Sequence, residues 1–166
     1  MSTHHVSDEL KATVGRALGR LPSGVYIMTA EHQGQWSAMM VSWVQQAAFD
    51  PPAISVALHK ERPFRQTVMA SRKFGLAVVG EGDSALMKKY ARGLAPGEDP
   101  FQGIEVLRTP GRMQVPAAAL AWLECEVIKT FDFGGDHELV AARVVDGALL
   151  RDGPSFTHLR GNGFHY

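Results

Sequence analysis

The sequence predicts a mainly β domain: a closed antiparallel β-barrel with peripheral helices. Two observations carry this expectation. Stretches rich in β-branched, aromatic or small apolar residues recur along most of the chain, whereas helical patterns are few and short. The strands also follow one another without the repeated βα units that a parallel sheet requires. With 166 residues, 45% apolar and 20% charged, the chain can bury one substantial core, so residues 1–166 read as a single domain. Residues 1–6 are expected to form a disordered tail.

The elements follow in order. A helix is expected over residues 7–19, with Ser7 as N-cap and Asp8 and Glu9 in the first turn. Leu10, Val14, Leu18 and Leu21 recur at helical spacing, which predicts that this face packs down. After the Pro22-Ser23-Gly24 break, strands are expected over Val25–Ala30, Trp36–Gln45, Ala53–His59 and Phe74–Val79, with 31–35 as a hairpin loop. Pro63 suits the first turn of a second helix over 62–70, with Phe64, Thr67 and Val68 inward. Asp83 suits the N-cap of a third helix running to Tyr90. Residues 94–106 have loop chemistry. Trp122–Phe131 and Glu138–Asp146 then form a long hairpin, followed by a short last strand and a glycine-broken tail.

Composition narrows the function. The formal net charge is zero, so the chain lacks the electrostatic footprint of a nucleic-acid binder. No run approaches membrane-spanning length and the N-terminus lacks an apolar signal core, so a cytoplasmic protein is expected. The single cysteine, Cys125, excludes an intrachain disulfide framework. Two flanking acids would raise its thiol pKa, and it reads as a small packing residue. The seven histidines show no metal-ligand spacing, and no nucleophile elbow is present.

Three stretches invite chemistry. Residues 79–85 contain G-x-G-x-x-A between a strand and a helix, the outline of a dinucleotide-binding turn. Asp83 would repel a pyrophosphate there, so the stretch reads as a plain turn with an N-cap. Residues 59–65 cluster Lys60, Arg62 and Arg65 where a strand meets a helix start. By itself this is a solvated charged turn or a phosphate cradle. Gly134-Gly135-Asp136-His137 would present an acid and an imidazole at the barrel rim.

The order Leu21–Ala30, "AMMVSWVQQA" over 38–47, Phe49-Asp50-Pro51-Pro52, Val56–Lys60, Phe74–Val78 and Gly135-Asp136-His137 resembles the flavin reductase-like family of FMN-binding split β-barrels. Residues 95–103 and 157–164 are similar to the reductase module of diflavin flavoproteins. The likeness runs from about residue 10 to the end. It implies an antiparallel split barrel binding FMN, with FAD possible, in a homodimer whose interface helps to close the flavin site. By position, Met40, Val41, Ser42 and Trp43 would line the flavin ring, largely through backbone groups, with Gln46 and Ala47 beside it. Lys60, Arg62 and Pro63 would hold the phosphate end, and His137 would face the flavin where a nicotinamide stacks. Small hydroxyl residues are expected near positions 45 and 48, where this chain has Gln45 and Ala48.

The implied activity is NAD(P)H-dependent flavin reduction, passing reducing equivalents to free flavin, oxygen or a redox partner protein. An FMN-carrying electron-transfer protein without nicotinamide turnover is the alternative, and a flavinless split-barrel binding module a third. Hydride transfer between stacked rings needs no protein nucleophile, which agrees with a chain that shows none.

Overall fold

A computed structural model describes residues 7–95, 97–159 and 161. The expected tail over residues 1–6, and most of the glycine-broken C-terminus, lie outside the described residues. The order is α1 (Asp8–Leu18), β1 (Ser23–Gly24), β2 (Tyr26–His32), β3 (Gln35–Val41), β4 (Val44–Phe49), β5 (Pro52–His59), α2 (Pro63–Ser71), β6 (Lys73–Val78) and α3 (Ser84–Ala91). It continues with β7 (Val106–Arg108), β8 (Gln114–Pro116), β9 (Ala121–Asp132), β10 (His137–Leu149) and β11 (Thr157–His158). The mainly β, antiparallel expectation holds.

Seven strands form one antiparallel sheet in the order β3-β2-β6-β9-β10-β5-β4. β3 and β4 stand at its opposite ends, yet only Ser42 and Trp43 join them. In a flat sheet these edges would be about 29 Å apart, at about 4.8 Å per strand. The link from Val41 to Val44 spans at most about 11 Å. The sheet therefore curls until its edges meet, leaving a slot between β3 and β4. Two register shifts in the β9–β10 pairing provide local bends of the kind curling needs. The expected single strand over Trp36–Gln45 is corrected here: it breaks at Ser42-Trp43, because the chain leaves one edge of the sheet to join the other.

The apolar residues sort into two cores. Inside the barrel, Met28, Val56, Leu58, Phe74, Leu76 and Val140 pack with Phe64 and Val68 of α2. A second cluster unites Ile27, Ala77, Val79, Leu86, Tyr90 and Trp122, so α3 covers part of the sheet through Leu86 and Tyr90. The small β7–β8 ribbon, absent from the sequence reading, lies near that side. Buried Glu124 fixes it, accepting hydrogen bonds from the Thr109 hydroxyl and, at 3.0 Å, from the Gly111 amide. Gly111 must be glycine for this approach, since a Cβ there would stand 2.0 Å from Glu124 Oε2.

The first helix forms as its pattern predicts, with the Ser7 hydroxyl accepting from the Leu10 amide at 3.2 Å. Its expected packing face does not hold. Leu10, Val14, Leu18 and the following Leu21 are exposed, and Gly15 is the buried position of α1. The leucine stripe therefore faces outward along α1.

Phe74 is fully buried in the barrel interior. Replacing it with alanine should destabilise the domain by about 3–5 kcal/mol. A fall in the urea midpoint with an unchanged slope would show this.

Candidate functional site

Among the described residues β3 is paired on one side only, so alternate backbone N–H and C=O groups along it face away from the sheet toward the slot. Along this strand runs a cavity of about 830 Å³. Trp36, Ser37 and Met39 of β3 line one wall, Arg62, Pro63 and Thr67 another, and residues of the 93–100 loop a third. That loop is held in place. The Glu98 carboxylate accepts from the Ala95 amide and from Arg92, and these contacts, the amide first, lower its pKa. The Tyr90 hydroxyl donates to the Pro100 carbonyl at 2.9 Å, and Phe101 packs edge-on against Trp36. Burial first, then the charge of Asp99, pushes the Tyr90 hydroxyl up to about 12, so it remains a donor at neutral pH.

The cations of the 59–65 segment part company in the structure. Lys60 Nζ lies 2.6 Å from Asp132 Oδ1, and the Arg65 guanidinium pairs with buried Glu138 at the barrel end. The Arg62 guanidinium meets no acceptor among the described residues, and Arg62 lines the cavity. Pro63 opens α2 directly after it. A solvent-facing charge at a helix start, beside a cavity with an open strand edge, suits the phosphate end of a nucleotide.

His137 opens β10 and stands opposite His59 in the ladder, with ring centroids 5.0 Å apart. Its Nδ1 lies 2.8 Å from Asp136 Oδ1, and the Trp43 ring sits 4.9 Å away on centroids. The hydrogen bond from His137 lowers the Asp136 pKa, with smaller contributions from the charges of His137 and His59. The structure thus brings Trp43 and His137 together, which nothing in the sequence spacing could announce. His59 completes this ring cluster and was missed. Its proximity depends on the β5–β10 register, which one sequence does not reveal.

The Val41 side chain is buried in the barrel core, so only its backbone is available to the slot. Met40 and Ser42 are half-buried. Gln46 and Ala47 are exposed on β4, where a register shift between Gln46 and Ala48 leaves Ala47 as the extra residue. Gln45 pairs with Ser55, and Ala48 with Ala53. Asp83 occupies the N-cap position of α3, but its carboxylate makes no capping bond. It accepts from the Gly80 amide at 2.7 Å and from Arg151 at 2.6 and 2.8 Å. The 79–85 stretch is therefore a locked turn whose acid occupies the place a pyrophosphate would need. Cys125 is buried, and burial together with Glu124 raises its thiol to about 12.

The flavin reductase like domain family matches residues 18–162. The chain belongs to the flavin reductase-like family. Among curated relatives, the putative diflavin flavoprotein A 3 of Nostoc sp. is 36% identical over 159 residues, covering 95% of this chain. The chain spans only 28% of that relative's length. Among solved structures, the NADH:FAD oxidoreductase SgcE6 of Streptomyces globisporus superposes with a TM-score of 0.83 at 20% identity, covering 95% of this chain and 93% of that one. The flavin reductase HpaC complexed with NADP+ gives a TM-score of 0.76 at 22% identity, over 96% and 97% of the two chains. At these identities the structural likeness establishes the shared fold. Among the described residues no helix of this flavin reductase-like domain is long and apolar enough to cross a membrane, and no group of metal-ligating side chains assembles.

Because the Asp136 pKa is depressed, its pairing contributes stability above the ordinary carboxylate value of 3.8 and loses it as pH falls through the folded-state value. Asp136→Asn should accordingly be slightly less stable than the parent near pH 6. The difference should vanish under strongly acidic conditions, and urea midpoints across pH would show both limits.

Proposed function

We propose that this domain is an NAD(P)H-dependent flavin oxidoreductase that seats FMN along the slot between β3 and β4. Its electrons would pass to free flavin, oxygen or a partner protein. The observation that carries this reading is a strand edge and a guanidinium, Arg62, both without a partner among the described residues and both lining one cavity. The named activities of its structural neighbours support it, SgcE6 being an NADH:FAD oxidoreductase also described in complex with NAD and FAD fragments.

A bound flavin would supply the hydride acceptor, its N5 atom. The chain's part is placement and charge. Met40, Val41, Ser42 and Trp43 would support the ring, Val41 through its backbone alone because its side chain is in the core. Gln46 and Ala47 would flank it from the opposite edge. Arg62 and Pro63 stand where the phosphate end belongs, with Lys60 two residues before Arg62. His137, held by Asp136 and packed between Trp43 and His59, would orient the nicotinamide. Stacking two rings in register is an orientation effect and asks nothing of a nucleophile.

A homodimer belongs to the same proposal. Phe49, at the end of β4, is 92% exposed and Leu149, at the end of β10, is 71% exposed, an apolar display that a second copy would cover. The contact of Trp43 with His137 favours one other reading, an FMN-carrying electron-transfer protein in which the indole covers the nicotinamide position.

Anaerobic absorbance titration decides between these readings. Purified protein loaded with FMN should be yellow and should bleach with NADH or NADPH. Bleaching by a redox partner, but by neither nicotinamide, selects the electron-transfer reading. His137→Ala should keep FMN affinity and slow hydride transfer by about 10- to 100-fold; unchanged kinetics would refute its role. Arg62→Ala should weaken FMN binding about tenfold, equivalent to about 1.4 kcal/mol, as read by flavin fluorescence.

A further inference from the structure

The turn that carries His137 is held from outside itself. Residues 133–136 link β9 to β10, and Lys60 grips that link at Asp136 and, just before it, at Asp132, the last residue of β9. The Lys60 amide donates to the Asp136 carbonyl at 2.9 Å. Lys60 Nζ lies 2.6 Å from Asp132 Oδ1, the same oxygen that accepts from the Gly134 amide at 2.7 Å. One carboxylate oxygen thus joins the last residue of β9, the middle of the turn and the segment that leads into α2. Both donors, Lys60 first, lower the Asp132 pKa, and Arg65 adds a smaller charge effect, so the carboxylate is ionised at neutral pH. The register sets what this clamp controls: Asp132 faces Glu138 across the hairpin, and His137 precedes Glu138.

We propose that Asp132 is a positioning residue for His137, acting through Lys60, and that the Lys60 ammonium serves this turn while Arg62 alone meets the flavin phosphate. The inference deepens the nicotinamide–flavin reading and rests on it for its kinetics, though not for its geometry. Two charged groups on different elements hold the Gly134-Gly135 link, which otherwise has two residues of high backbone freedom immediately before Asp136 and His137. Without the clamp the fold survives, since the β9–β10 and β5–β10 ladders remain. What is lost is the fixed approach of the imidazole to Trp43 and His59. Lys60 cannot serve the phosphate and the clamp equally, so removing Asp132 separates the two roles.

The test compares Asp132→Asn and Asp132→Glu with the parent, each as full chain loaded with FMN. In Asp132→Asn, the Lys60 amide should exchange with solvent about tenfold faster, and the ¹⁵N signals of the His137 ring should shift. The kcat for nicotinamide oxidation should fall about three- to tenfold, with FMN affinity within twofold of the parent. Asp132→Glu, which keeps the carboxylate, should recover most of the loss. Tighter FMN binding in Asp132→Asn with unchanged kcat would show Lys60 released onto the phosphate and would overturn the proposal. Unchanged Lys60 exchange and unchanged His137 signals would overturn it too. If the parent fails to oxidise either nicotinamide, the enzymatic reading falls by itself, and the exchange rate and ring signals still decide whether Asp132 positions the turn.

Discussion

The architecture depends on a reach constraint. Ser42 and Trp43 must carry the chain from β3 to β4, the two outermost strands of one seven-stranded sheet. A short tether between distant edges forces the sheet to close, and the closure is partial because the two edges approach without pairing along their length. The Ala57 amide, donating to the Trp43 carbonyl at 3.0 Å, secures the crossing to the β5 side. The slot, the exposed backbone edge of β3 and the position of the Trp43 ring beside His137 all follow from this one passage.

Charge is distributed around this slot with economy. Lys60, Arg65, Lys89 and Arg92 each meet a carboxylate, Lys89 and Arg92 sharing Glu98, and of the three acids Asp132 and Glu98 also accept a backbone amide while Glu138 is buried. Compensated pairs of this kind shape walls and add little net field. Arg62 differs, having no acceptor among the described residues, and it lines the cavity along β3. The chain is neutral overall, yet it offers a local positive charge where an anion could be held. Neutral composition therefore excluded a broad basic surface and left room for a focused one.

Much of the fold was legible because its signals are local. The Ser7 cap, Pro63 at a helix start and the alternation over residues 53–59 each record a backbone preference that the final structure keeps. The failures are of another kind. Continuous strand chemistry over 36–45 hid the break at Ser42-Trp43, since only tertiary closure distinguishes a strand from two strands on different edges. The leucine periodicity of α1 correctly signalled a helix but not its facing, since Leu10, Val14 and Leu18 are exposed. The candidate site residues were named mainly through the ordered likeness to a family. The pairing of Lys60 with Asp132, and of His137 with His59, depends on strand register and had no signature in sequence spacing.

Cys125 adds a practical consequence. It is the sole cysteine, 2% exposed, and its raised pKa leaves almost no thiolate at neutral pH. It sits on β9, the strand that pairs with both β6 and β10 at the centre of the sheet. A thiol reagent can reach it only when those strands separate. The protein thus carries its own reporter of core opening: the labelling rate of an unmodified chain measures how often the barrel comes apart, with no probe introduced and no residue changed.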